Sequence, residues 1–401
     1  MKVLQINSVC GVGSTGRIAT DLYKVLEEKG HDSIIAYGRG TAPEGIKTIK
    51  IGSDLDNYMH VVKTRIFDKH GFASIRATNK FIKEIEEYNP DVIHLHNIHG
   101  YYINIGILFE YLKRANKKVI WTLHDCWPFT GHCSYFDYVS CDKWKNQCKE
   151  CPQSKEYPQS LLLDNSSWNF NKKKEIFSGV KDLTIVTPSK WLAGLVRKSF
   201  LSNYKIEVIN NGIDLDIFKP TESKFRERYN IEDKFIILGV ANIWDRRKGL
   251  NYLVELSKRL DDRYKVIIVG VTEKQKEKLP ENVIGITKTN NVKQLVEIYS
   301  TADVFVNPTL EDNFPTTNLE AIACGTPVIT FNTGGSREVI DENTGHIIDK
   351  GNIRDLAIII TKMKLKGKES YIENCTLKSK KLYDKNNLYN NYMSLYYMAK
   401  Y

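Results

Sequence analysis

No apolar run in this 401-residue chain approaches the ~20 residues that a membrane-spanning helix needs. The opening "MKVLQINSVC" lacks a basic segment followed by an apolar stretch and a small-residue cleavage site, so no secretory leader is expected and the chain is read as cytoplasmic. Low-complexity tracts and visible repeats are missing. So are zinc-finger, RNA-binding-sheet and basic-zipper signatures, which removes nucleic acid from the expected partners. Disorder has no compositional support, because 42% hydrophobic and 26% charged residues are ordinary for a folded protein. Acidic residues are the scarcer charge: 48 Asp and Glu face 58 Lys and Arg, a net charge of +10. That excess favours a polyanionic partner, and with nucleic acid set aside an anionic membrane surface or a phosphorylated substrate remains. The basic groups themselves, such as Lys172-Lys173-Lys174, are short and dispersed, as on solvated helix faces.

What is present is an alternation. "KVLQIN", "DSIIAY", "DVIHLH", "KKVIWTLH", "LTIVTPS" and "KIEVIN" are short apolar strands. Helical stretches near 16–29, 79–88 and 105–115 separate the earlier ones. The pattern starts again with "KFIILGVA", a helix near 250–260, "YKVIIVG", "NVIGI", a helix near 292–299, "DVFVNP" and "TPVITF". Strands separated by helices predict parallel, doubly wound sheets, and 401 residues exceed what one core holds. The break falls in "NNGIDLDIFKPTES", residues 210–223, where turn formers and Pro220 interrupt both patterns. Such sheets bind ligands at the carboxyl ends of their strands.

Gly11, Gly13 and Gly16 in "CGVGSTGRIA" have the G-x-G-x-x-G spacing of a dinucleotide site. The second half of that site is absent: the next strand ends in Tyr37-Gly38-Arg39, with no carboxylate for a ribose. A nicotinamide cofactor is therefore not expected. A glycine-rich turn into a helix also lets backbone approach any ligand closely.

The stretch "NPTLEDNFPTTNLEAIACGTPVITFNTGGSREVI", 307–340, is the most informative. It resembles the GT-B glycosyltransferases, specifically the retaining, nucleotide-sugar-dependent group marked by an acid, seven intervening residues and a Glu. Here the pair is Asp312 and Glu320. The resemblance implies that Asp312 holds hydroxyls of the reacting sugar, that Asn313, Phe314, Pro315, Thr316 and Thr317 offer backbone N–H groups, and that Glu320 holds the donor ribose. Physically, a helix entered at about Thr316 presents unpaired N–H groups to a diphosphate, with Glu320 one turn inside and facing the mouth. In "NIWDRRKGLNYL", Lys248 matches the family's diphosphate lysine. The usual arginine six residues earlier is Asn242, which moves that role to Arg247. Gly16 and Arg17 are expected toward the donor.

"WTLHDCWPFTG" puts His124 and Asp125 at a strand end, where the family has a histidine beside the transferred sugar, and "DVIHLHNIHGYY" puts His96 and Asn97 on the acceptor side. Cys133, Cys141, Cys148 and Cys151 follow with C-x7-C-x6-C-x2-C spacing. Structural zinc, reduced thiols and disulfides all remain open for them, with zinc the specific expectation.

"PSKWLA" and "NNGID" extend the likeness over essentially the whole chain, toward bacterial colanic-acid and capsular polysaccharide enzymes. The implied architecture is α/β of the GT-B type, two Rossmann-like doubly wound parallel-sheet domains facing across a cleft. Its parts are 1–214 for the acceptor, 215–385 for the donor, and a C-terminal helix over 386–401 packing back on the first. The implied activity moves a sugar from a nucleoside diphosphate sugar to a lipid-linked saccharide at an anionic membrane face. No catalytic cofactor is expected, since no D-x-D motif sits in a plausible metal-binding turn: Asp214-Leu215-Asp216 lies in the hinge loop, away from the expected donor wall. A 2-epimerase of the same fold, or a non-catalytic sugar-nucleotide-binding protein, is the alternative. The basic and apolar stretch 57–85 is the expected membrane contact.

Overall fold

The computed structural model describes residues 1–397; residues 398–401 of the helix expected over 386–401 lie outside the described residues. The chain divides into two compact units, Met1–Ile209 with Tyr389 onward, and Asn210–Leu388.

In the first unit a parallel sheet carries β1 (Lys2–Val9), β2 (Asp32–Arg39), β3 (Thr48–Lys50), β4 (Val92–Leu95), β5 (Lys118–Thr122), β6 (Leu183–Thr187) and β7 (Lys205–Val208) in the order β3-β2-β1-β4-β5-β6-β7. Central β4 and β5 are buried along their whole length, which is why Val92-Ile93 and Val119-Ile120-Trp121 run on without the polar alternation of a one-sided strand. The register pairs Gln5 with His94 and Leu95 with Trp121, so polar side chains at positions 5, 94 and 96 enter the interior among apolar neighbours. One face packs Trp121, Phe109, Phe177 and Trp127. The other packs Val3, Leu22 and Leu26 against Tyr389, Tyr392, Met393 and Tyr396 of the last helix, Lys385–Tyr397.

The second unit's sheet holds β8 (Phe235–Val240), β9 (Tyr264–Val269), β10 (Val283–Ile286), β11 (Val304–Asn307), β12 (Val328–Phe331) and β13 (Gly345–Ile348), ordered β10-β9-β8-β11-β12-β13 and parallel throughout. In both units strand order reverses beside the first strand, between β1 and β4 and between β8 and β11. Those are the switch points where doubly wound sheets open a crevice.

The helix Ile105–Ala115 lies where periodicity places it, while the first helix starts at Gly13 and not near Gly16. The stretch 57–85 is divided between two helices. Asp54–Phe67 starts at a Ser53/Asp56 capping box, and Ile75–Tyr88 buries Phe81, Ile82 and Ile85 in the core. Only the first keeps a prominent apolar surface, with Leu55, Tyr58, Met59 and Phe67 exposed. Among the described residues no helix is long and apolar enough to cross a membrane.

Candidate functional site

At the carboxyl ends of β8, β11 and β12 the second unit brings together most of its predicted residues. β8 leads to the 3-10 turn Arg246–Lys248, capped by Asp245, whose carboxylate accepts from the Lys248 N–H at 2.9 Å. Gly249 follows with φ +78°, and a Cβ there would stand 2.2 Å from the Pro308 carbonyl oxygen, so the turn is pressed onto the loop after β11. That loop runs to the helix Thr316–Ala323, which begins after Pro315 with no side-chain cap on its first N–H groups. The third loop, after β12, reaches Asp312 through Gly334: a Cβ there would lie 1.9 Å from the Asp312 carbonyl oxygen, and the Gly335 N–H donates to the same oxygen.

Asp312 is the centre of this arrangement. Lys248 Nζ donates to its Oδ2 at 2.5 Å, Arg247 Nη1 stands 3.8 Å from the same oxygen, and the Asn313 N–H donates to Oδ1 at 2.9 Å. Burial alone would raise the carboxyl's pKa, but the Lys248 and Arg247 charges and these hydrogen bonds hold it below the usual carboxylate value. Arg247 also donates to the Glu311 carbonyl at 2.9 Å, and Arg247's own carbonyl accepts from Leu310 N–H. Both cations are therefore fixed on the strand-end loops while about a quarter of each side chain stays in solvent.

Glu320 does not face an open mouth. It is 4% exposed and accepts from the Tyr299 hydroxyl at 2.9 Å, because the helix turns this position inward onto Tyr299. Phe314 is also buried, beside Tyr383, and its carbonyl accepts from Asn211. Thr316 and Thr317 are half-buried at the helix start, whereas Asn242 is exposed at the end of β8. Sequence reasoning missed Asn318, which is fully buried. Its oxygen accepts from Asn307 and its amide donates to Ser336, tying β11, the helix and the loop after β12 together. A buried Asn two residues after a helix start is the only sequence signal it leaves.

The first unit gathers the remaining residues at its own switch point. Gly11 N–H donates to the Gly16 carbonyl, and a Cβ on Gly16 would press within 3.1–3.2 Å of Gly11 N and the Val9 side chain. Arg17 is exposed, its Nε reaching the Gly13 carbonyl at 3.3 Å. After β4, His96 is buried and the Asn97 N–H donates to Asn7. After β5, His124 is half-buried at 3.3 Å from His96, while Asp125 pairs with His99 at 2.9 Å and accepts from the Trp127 N–H.

Cys133, Cys141, Cys148 and Cys151 line one pocket with His132 and Trp144. The backbone N–H groups of Gly131 and Gln153 act on the Cys148 and Cys151 thiols in the direction that favours the thiolate, although burial dominates at Cys148 and raises it. Contact with Cys133 lowers the Cys151 thiol and raises Cys133. None of the eight cysteines is joined in a disulfide, and among the described residues no three His, Cys, Asp or Glu side chains stand in a metal-holding arrangement.

The comparisons follow the same division. A family model described as Glycosyltransferase Family 4 matches residues 15–217, and one described as Glycosyl transferases group 1 matches residues 221–376. A relative named for colanic acid biosynthesis, the glycosyl transferase WcaC of Escherichia coli (strain K12), is 24% identical over 381 residues, 89% of each chain. Among solved structures, sucrose-phosphate synthase from Thermosynechococcus elongatus superposes with a TM-score of 0.73 at 18% identity, covering 98% of both chains. Anabaena Alr3699/HepE in complex with UDP-glucose superposes with a TM-score of 0.69 at 15% identity, again over 98% of both.

Proposed function

The chain belongs to the family 4 and group 1 glycosyltransferases, and from that premise we propose that it moves a sugar from a nucleoside diphosphate sugar to a saccharide acceptor in surface polysaccharide assembly. The observation that carries this reading is the Lys248–Asp312 pair beside Arg247 and the uncapped helix start at Thr316. Two fixed cations and free helix N–H groups are what a departing diphosphate requires, since they are aligned before charge develops. Anabaena HepE was solved with UDP-glucose, and WcaC carries a polysaccharide name; both support the donor class and the pathway type.

In this reading Lys248 and Arg247 take the diphosphate, aided by the backbone of Asn313, Phe314, Pro315, Thr316 and Thr317. Asn242 lines the donor side at the end of β8. Asp312 holds sugar hydroxyls and Glu320 anchors the ribose edge. Gly16 and Arg17 serve the donor, His124 the transferred sugar, and His96, Asn97 and Asp125 the acceptor. The bond from the anomeric carbon to the phosphate oxygen breaks, and an acceptor oxygen bonds to the same face of that carbon. The acceptor's proton passes to the departing phosphate, so configuration is retained without a carboxylate nucleophile. The acceptor is lipid-linked and the enzyme acts at the cytoplasmic membrane face. The positive field comes from side chains, with no metal in the reaction.

The four cysteines are the proposed ligands of a structural zinc. Their convergence on one pocket supports it, and an ion would have to draw the sulfurs inward from their present places. A mass-spectrometric screen of nucleotide sugars tests the function. Protein-dependent release of nucleoside diphosphate from one donor, raised by a lipid-saccharide extract, is expected. Release from none of them contradicts the assignment.

A further inference from the structure

We infer that Gln5 and His96 are positioning residues that fix which nitrogen of His124 carries its proton. The inference rests on the reading above, in which His124 lies beside the transferred sugar, but the hydrogen bonds that carry it do not.

Gln5 is fully buried in β1, and its Nε2 donates to the Ala19 carbonyl at 3.0 Å. A carbonyl only accepts, so the amide has one orientation and its Oε1 must face His96 Nε2, 3.1 Å away. That oxygen is likewise only an acceptor, so His96 carries its proton on Nε2. Burial keeps the His96 ring neutral by pushing its pKa well down, which leaves Nδ1 with a lone pair. His96 Nδ1 stands 3.3 Å from His124 Nε2, with the two ring planes within 19° of each other and their centroids 5.6 Å apart. The proton between them therefore belongs to His124, which is held as the Nε2–H form. Burial also lowers the His124 pKa to about 4, so the ring is neutral at pH 7 and its Nδ1 is an acceptor.

The neighbouring His94 does not share this chain. It lies 4.1 Å from His96 ring to ring, but its nitrogens are bound to Tyr396 and Thr122, at 2.6 and 2.8 Å. The consequence for transfer is specific: in this form the Nδ1 of His124 can only accept a hydrogen bond, and the ring cannot act as an acid through the nitrogen committed to His96. A single amide oxygen at Gln5, two imidazoles away, sets that polarity.

The test uses the full chain with 15N-labelled histidine and long-range proton–nitrogen correlation, with His124 signals assigned by their loss in His124→Gln. In the wild type, Nε2 should be the protonated, pyrrole-type nitrogen and Nδ1 the pyridine-type one. Gln5→Met removes the acceptor, so His96 moves its proton to Nδ1, donates to His124 Nε2, and inverts His124 to Nδ1–H. Gln5→Glu keeps an acceptor oxygen and should restore the wild-type pattern. Unchanged His94 signals report an intact fold. Should Gln5→Met not fold, the wild-type tautomer and Gln5→Glu still decide. A wild-type His124 protonated on Nδ1, or one indifferent to a folded Gln5→Met, overturns the inference. With a donor in hand, Gln5→Met should lower kcat by roughly tenfold with little change in donor KM. The expected tautomers in a protein that turns over no nucleotide sugar would uphold the relay while refuting the function.

Discussion

The Lys248 ammonium and the Asp312 carboxylate meet at 2.5 Å across two strand-end loops that are 64 residues apart in the chain. Each needs the other. Asp312 is buried and would be an uncompensated charge without its cations, while Lys248 is held ready for an anion. Lys248→Ala should lower transfer by about ten- to a hundredfold, the worth of a charge-assisted contact of roughly 1.5–3 kcal/mol. Asp312→Asn should lose comparable activity. Steady-state rates at saturating and limiting donor check this, and near-normal turnover by Lys248→Ala removes the donor-site assignment.

Glu320 calls for a different pair of variants, because it is buried against Tyr299. Glu320→Ala removes the carboxylate that accepts from the Tyr299 hydroxyl and should lower stability by about 1–3 kcal/mol as well as activity. Glu320→Gln keeps an acceptor and should remain folded yet impaired. Denaturant midpoints beside donor KM separate the effects; an active, fully stable Glu320→Ala would place the ribose elsewhere.

Gly334→Ala tests whether the third loop supports Asp312. Its Cβ would collide with the Asp312 carbonyl, whereas Gly179, also at positive φ, has open space around the same atom. Both substitutions carry the strain of a left-handed backbone, about 1–2 kcal/mol. Gly334→Ala should therefore cost clearly more stability and reduce transfer, with Gly179→Ala leaving transfer intact. Equal losses for the two would mean that the loop contact is incidental.

How far the sequence led depends on the distance over which each feature is determined. The helix start at Thr316 and the turn holding Lys248 were legible because turn formers, a strand and a helix follow one another locally. Gln5, Asn318 and Gly334 were not, since each acts through a partner brought in by the sheet. The inward position of Glu320 follows from Tyr299 packing under its helix, which the acid spacing alone does not encode. Phe81 and Ile82 looked available to a membrane in a basic stretch, yet helical register sends them into the core.

Histidine burial predicts an acid-sensitive fold. Burial lowers His60 and His94 to about 3 and His124 to about 4, and pushes His70 and His96 well down. The unfolded chain binds protons at these sites first, near pH 6.5, so their contribution is complete above 6.5 and is lost as pH falls toward the folded values. His132 is shifted the other way: burial opposes its charge, but Asp68 raises it, so that contribution is lost as pH rises. Each lowered histidine can add up to ~1.4 kcal/mol per pH unit to the slope. Urea midpoints should fall steeply between pH 6.5 and 5, and a flat profile there contradicts the neutral, buried assignment.

Brief EDTA treatment should leave transfer intact, because Arg247 and Lys248 supply the charge. Rescue by Mg²⁺ after complete loss would contradict this. The same preparation should contain about one zinc per chain, lost in Cys148→Ser/Cys151→Ser; metal-free, fully active protein would leave the cysteines as thiols.

Membrane contact is expected from the exposed helix residues Leu55, Tyr58, Met59 and Phe67. The adjoining Leu161–Leu163 loop is tied to them by the Leu161 N–H to Arg65 carbonyl bond at 2.7 Å, with Lys63 and Lys69 nearby. Anionic vesicles should sediment the protein at low salt and release it at high salt, and Lys63→Glu/Arg65→Glu/Lys69→Glu should weaken retention. Indifference to lipid charge would make this an ordinary surface.

The claim on which the account turns is that Lys248 and Arg247 hold the donor diphosphate. Calorimetric titration of UDP, GDP, ADP and dTDP into the wild type, Lys248→Ala and Arg247→Ala measures it without an acceptor. The account predicts that at least one nucleoside diphosphate binds and that each variant weakens it about tenfold or more. Binding of equal strength in all three proteins, or none to the wild type, would contradict it.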